Sequence, residues 1–200
     1  DEQHRFGVAQ RAALAAKGRS PHLLVMTATP IPRTLSLALF GDLSSLVLRD
    51  LPPGRSPVVT RVLGQKDLRR VLAFLRQELA RGGRAFWVCP LVEESEGTNL
   101  PGAMQRREAL ARALPESCPE VVHGRLDGAA KAAALERFRS GESRLLVGTT
   151  VLEVGIDVPE ATVMVVEHGE RFGLAQLHQL RGRVGRGSSR GVCLLLSGTE

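Results

Sequence analysis

Long apolar runs are missing from this sequence. Nothing in its 200 residues approaches the roughly 18–20 consecutive apolar positions that a membrane-spanning helix needs, so no membrane partner is expected. Cysteine is also scarce. Cys89, Cys118 and Cys193 stand far apart and form no CxxC pair, which argues against a disulfide framework or a zinc site and fits a reducing cytoplasm. Cys89 and Cys193 lie in apolar runs and read as plain core residues. There is no repeat of fixed period and no low-complexity block. The first residue is Asp1, so this end of the chain says nothing about targeting.

What is present describes an ordinary globular protein. The apolar share is 43% and the charged share 24%. The length suffices for one full α/β domain plus a piece of another. A net charge of +6 favours a polyanionic partner. Arginine greatly outnumbers lysine, which biased gene composition explains as readily as function does.

Helix and strand patterns alternate along the chain. Residues 8–17 read as a helix stopped by Gly18, 22–28 as a buried strand, 32–40 as a helix opened by Pro30 and Pro32, and 44–49 as a strand. The stretch LPPGR (51–55) carries two prolines and a glycine and reads as a connector between domains. Beyond it, strands are predicted at 58–63, 85–90, 120–123, 144–149, 161–167 and 191–196, and helices at 66–81, 103–114, 129–140 and 174–184. Residues 93–102 read as an exposed loop. Short Val- and Leu-rich strands alternating with helices predict an α/β fold, a mostly parallel sheet with helices on both faces.

Four segments carry chemistry. DEQH (1–4) places Asp1 and Glu2 side by side. In phosphoryl-transfer motors one such carboxylate holds Mg²⁺ and the next orients the attacking water, although Asp-Glu pairs also occur on solvated loops. MTATPIPRT (26–34) puts Thr27 and Thr29 at a strand end, where their hydroxyls relay hydrogen bonds or simply cap the next helix. TTVLEVGIDVP (149–159) delivers hydroxyls to the carboxyl edge of the sheet, where open α/β sheets bind ligands. In it Gly155 permits close backbone approach and Asp157 offers a carboxylate, or else caps a buried turn.

QLHQLRGRVGRG (176–187) is the most specific of the four. Arg183 and Arg186 are three apart and share a helix face if the helix runs that far, and paired guanidinium groups neutralise charge developing on a transferred phosphoryl group. Gly182, Gly185 and Gly187 would each cost an ordinary helix about 1 kcal/mol against alanine, so they point to a tight backbone approach.

Together these segments resemble motifs II to VI of the superfamily 2 helicases, in order and over essentially the whole chain. The resemblance narrows to the RecG family of bacterial ATP-dependent DNA helicases on DEQHRFGVAQR (1–11), MTATPIPRT (26–34), LPPGR (51–55), WVCPLVEES (87–95), HGRL (123–126), TTVLEVGIDVP (149–159) and GLAQLHQLRGRVGRG (173–187). The transcription-repair coupling translocases share ATPIPRT and the last segment but lack the PPGR and CPLVEES forms.

The resemblance implies two RecA-like motor domains, a C-terminal remnant of the first at 1–50 and the second at 51–200. It implies ATP and Mg²⁺ as cofactors, with Asp1 as the metal ligand, Glu2 as the catalytic carboxylate, and Gln3 and His4 coupling the site to the second domain. Thr27 and Thr29 would relay between ATP and DNA. Gly155 and Asp157 would serve the nucleotide and the interdomain cleft, and Gln179, Arg183 and Arg186 would close over the triphosphate. The implied partner of this monomeric, cytoplasmic enzyme is branched duplex DNA, meaning replication forks and Holliday junctions, handled in recombination and repair. His123 lies near that DNA or is a core or turn histidine. No GxxxxGK[ST] phosphate loop occurs in the 200 residues, so this stretch by itself is expected to be inactive. The alternatives are a double-strand translocase recruited to RNA polymerase, an RNA helicase, and a non-catalytic nucleic-acid-binding half-motor.

Overall fold

Three strands with almost no polar residue dictate the middle of the molecule. Arg84–Val88 (β2), Leu145–Gly148 (β4) and Ala161–Glu167 (β5) are buried along nearly their whole length, as strands of a parallel sheet covered on both faces must be. The structure is a computed structural model and describes residues 8–18, 22, 24, 26, 46–48, 55–90, 102–149, 158–187 and 189–198. The chain divides into two compact units, Asp1–Arg49 and Asp50–Glu200.

In the first unit the helix α1 spans Val8–Ala15, close to the expected 8–17. The strand expected at 22–28 and the helix at 32–40 lie largely or wholly outside the described residues. His22, Leu24 and Met26 have no regular assignment, and neither do Leu46, Val47 and Leu48, where a strand was expected.

The second unit is one six-stranded sheet. Its remaining strands are Val59–Gly64 (β1), Glu120–Val122 (β3) and Val192–Ser197 (β6), and the spatial order is β1-β6-β5-β2-β4-β3 with every pairing parallel. The helices are α2 (Leu68–Ala80), α3 (Gly102–Ala113), α4 (Gly128–Ser140) and α5 (Leu174–Arg181). All fall within a few residues of their expected positions, and the fold class is the α/β parallel sheet that the sequence implied.

Alternate residues of each strand face opposite sides, so the sheet has two cores. On one side Val71, Leu75 and Leu79 of α2, four apart on a single helical stripe, join Ala103 and Leu110 of α3 over Trp87, Cys89, Val147 and Val165. On the other, Phe138 of α4 and Leu180 of α5 cover Phe86, Val88, Leu146 and Met164, with the Phe86 and Phe138 ring centroids 5.0 Å apart. Helix α4 shows why the ends fall where they do. The Asp127 side chain accepts from the Ala130 amide at 2.7 Å, and Gly141 at φ +88° closes the last turn. Among the described residues no helix is long and apolar enough to cross a membrane.

Candidate functional site

Helix α5 and the turn after it carry Gln179, Arg183 and Arg186. The helix is opened by the Gly173 amide donating to Gln176 Oε1 at 3.1 Å, and Leu180 anchors it in the core. It stops at Arg181, three residues short of the expected 184. The Gly182 amide still donates to His178 O at 3.0 Å, but the Arg183 amide donates to Leu180 O at 3.0 Å, and Gly185 then takes φ +66°. A left-handed residue cannot continue an α-helix. Arg183 and Arg186 therefore do not share a helix face and sit instead on the turn that follows the helix.

The glycines of that turn meet the chain's own backbone. The Gly185 amide donates to Ala161 O at 3.0 Å, pinning the turn to the start of β5. A Cβ on Gly185 would lie 2.8 Å from the Gly191 nitrogen, and one on Gly187 would lie 2.9 Å from the Pro159 carbonyl oxygen. The expected tight approach is thus present at Gly185 and Gly187, whereas at Gly182 a Cβ would meet only carbonyl oxygens of its own helix, the nearer being Gln179 O at 3.3 Å. Val184, just before Gly185, is fully buried, while Arg186 is exposed and Arg183 half-exposed. Arg186 Nε donates to the Gly182 carbonyl at 3.0 Å, and Arg55 Nη2 reaches the same oxygen at 3.2 Å. Gln179 is half-buried on α5.

A second polar group lies at the carboxyl edge of the sheet, on the side covered by α2 and α3. Cys89, Thr149 and Glu167 end or follow the adjacent strands β2, β4 and β5, and the Cys89 amide donates to Gly148 O at 2.8 Å. Thr149 is buried and its Oγ1 has no hydrogen-bond partner; neither has Trp87 Nε1 deeper in the same layer. Glu167 is 6% exposed and forms an ion pair with Arg106 of α3, Nε to Oε1 2.6 Å. That oxygen makes no well-directed hydrogen bond, so the contact is chiefly electrostatic. The Arg106 guanidinium also lies 5.8 Å from the Trp87 ring centroid. Burial, reinforced by the Glu167 charge, pushes the Cys89 thiol far up, and burial pushes Cys193 up to about 12. Both are inert core thiols, as expected. The Arg106–Glu167 pair was missed in the sequence, where the one signal was a carboxylate closing the apolar run ATVMVVE.

His123 accepts from the Arg125 amide through Nδ1 at 3.2 Å, a local turn contact that matches the turn reading. Asp1, Glu2, Gln3, His4, Thr27, Thr29, Gly155 and Asp157 lie outside the described residues, as does most of the loop expected at 93–102. Among the described residues no group of three or more His, Cys, Asp or Glu side chains could hold a metal ion.

Residues 66–188 match the helicase conserved C-terminal domain family. The chain is 51% identical over 201 residues to the ATP-dependent DNA helicase RecG of Synechocystis sp., covering 100% of this chain and 24% of that protein. It is 53% identical over 196 residues to RecG of Acidithiobacillus ferridurans, covering 98% and 29%. A solved structure of RecG bound to a three-way DNA junction superposes with TM-score 0.77 at 44% identity, over 100% of this chain and 25% of that one. Saccharomyces cerevisiae Dbp5 bound to RNA and ADP BeF3 superposes with TM-score 0.65 at 17% identity over 100% of this chain and 51% of that one, a likeness of fold alone. The chain thus spans about a quarter of the length of the curated relatives it matches. The family match takes in more than half of the chain, and the resemblance to RecG seen in its motifs extends along its whole length: the chain belongs to the helicase conserved C-terminal domain family.

Proposed function

We propose that this chain is the carboxyl-terminal part of the motor of an ATP-dependent DNA helicase that works on branched DNA, regressing forks and migrating junctions in the cytoplasm as a monomer. The unit Asp50–Glu200 is the second RecA-like motor domain, and the preceding residues are the end of the first. The observation that carries the reading is the turn after α5. It holds Arg183 and Arg186 at the negative end of a helix, on a backbone pinned by Gly185 and Gly187, within a segment characteristic of RecG.

Guanidinium groups fit a polyphosphate, because their planar forks match its oxygens, and the exposed Arg186 is held through Nε on the Gly182 carbonyl. When bound, ATP would supply the phosphoryl group and Mg²⁺ would neutralise its oxygens. Gln179, Arg183 and Arg186 orient and clamp the triphosphate. Gly155 and Asp157 would serve the nucleotide, Asp1 would hold the metal, and Glu2 would orient the attacking water. Gln3, His4, Thr27 and Thr29 pass the state of the site to the DNA surface. The +6 charge suits contacts to the phosphate backbone, which fix position without reading sequence.

In a full-length helicase carrying this sequence, Arg186→Ala is expected to abolish ATP turnover while sparing DNA binding, and normal turnover in that variant refutes the assignment. Comparing forked DNA, linear duplex and RNA at fixed salt separates the substrate classes. Preference for the fork supports this reading, equal stimulation by linear duplex favours a polymerase-linked translocase, and stimulation by RNA alone overturns the DNA assignment.

A further inference from the structure

We propose that Arg55, the last residue of the 51–55 connector, is a positioning residue for Arg186. This rests on the reading of Arg186 as phosphate-facing, and it adds a residue from a distant part of the chain to that site. The two side chains meet at one atom, the Gly182 carbonyl oxygen. Arg186 Nε donates to it at 3.0 Å across 4 residues and Arg55 Nη2 at 3.2 Å across 127.

Three physical features favour a role beyond packing. A carbonyl oxygen has two lone pairs, so both bonds form together and neither displaces the other. Gly182 stands at the carboxyl end of α5, where unsatisfied carbonyls make a negative pole that attracts cations. Two guanidinium groups converging on one acceptor also crowd each other, so each limits where the other can swing, and an arriving anion meets both.

Arg55 is itself anchored, since the chain enters β1 four residues later and the Val59 amide donates to Gly191 O at 3.0 Å. Gly191 is in turn the residue against which Gly185 packs. Arg55, the edge strand and the arginine-bearing turn thus form one continuous hydrogen-bonded and packed unit.

Two measurements test this. In the 200-residue chain, the nuclear magnetic resonance signal of the Arg186 Nε–H reports its bond to Gly182. Arg55→Ala is expected to speed its exchange with solvent, and Arg55→Lys, which keeps the charge but lacks the planar fork, is expected to restore only part of the protection. In a full-length helicase carrying the sequence, Arg55→Ala is expected to lower kcat for ATP hydrolysis about tenfold while KM for ATP moves less than about twofold, as for a group acting on the transition state. Added to Arg186→Lys, which keeps a charge at the site and residual turnover, Arg55→Ala is expected to cause no further loss. Unchanged Nε–H exchange, or a further loss in the double variant, overturns the proposal. Normal turnover in Arg186→Ala alone would sink the phosphate-facing reading instead, and the exchange measurement would still decide whether Arg55 holds Arg186.

Discussion

Gly185 sits where no other residue fits. Its φ of +66° is strained for any L side chain, and an added Cβ would stand 2.8 Å from the Gly191 nitrogen, a backbone atom that cannot swing away. Gly185→Ala is expected to lower stability by about 2 kcal/mol or more through strain and overpacking, read as a fall in the urea midpoint. An unchanged midpoint would show that the turn is less constrained than its geometry implies. The Glu170 carboxylate is a milder case. It is held below its ordinary value of 4.5 first by a hydrogen bond from its own amide, against opposing desolvation, and then by His168 and the Gly198 amide. A carboxylate with a depressed folded-state pKa stabilises the fold above its unfolded pKa, and the contribution is lost as pH falls through the folded value. Glu170→Gln is therefore expected to lower the urea midpoint at pH 7, with the difference from the parent shrinking below about pH 4. A constant difference across that range would exclude titration of Glu170 as the cause. Residue type alone marked these glycines as special, but which atoms they approach depends on strands far away in sequence.

Among elements, α3 is tied to the carboxyl edge of β5 by the Arg106–Glu167 pair beside Cys89. A buried carboxylate stripped of its cation is destabilising, by about 2 kcal/mol for a pair whose arginine is partly exposed. Arg106→Met is expected to loosen α3 and to expose the Cys89 thiol to a maleimide reagent, while Cys193, equally buried on the opposite face, stays protected. The direction is informative. Losing the Arg106 charge raises the Cys89 pKa and by itself slows thiolate chemistry, so faster labelling means opening. Slower or equal labelling would show that α3 is held by packing alone. Helix and strand positions in this second unit were readable because apolar spacing switches between 3.6 and 2 residues and turn residues punctuate it. The end of α5 was not, because LRGRVGRG has helical spacing for its arginines and only the left-handed Gly185 and the pinning of the turn to β5 break the helix. Likewise the Cys89–Thr149–Glu167 row assembles from three strand ends that lie apart in the sequence, and no local pattern joins them.

For the whole molecule, the net charge of +6 predicts binding to duplex DNA that weakens steeply with salt, checked by titrations at several ionic strengths. Affinity independent of salt would exclude a phosphate-backbone surface. The 200-residue chain alone, with no phosphate loop in its sequence, is expected to show no Mg²⁺-dependent ATP hydrolysis, and clear turnover would refute the assignment of the missing chemistry to another segment. Apolar periodicity was enough to establish a parallel α/β sheet with two covered faces. Local interactions and burial along one segment carry that information. The strand order β1-β6-β5-β2-β4-β3 was not legible, because strands buried on both faces have nearly the same apolar pattern and do not name their neighbours. Only the folded chain brings Arg55 to the oxygen that Arg186 uses and Arg106 to Glu167, since each contact depends on where the sheet places residues that the sequence keeps far apart.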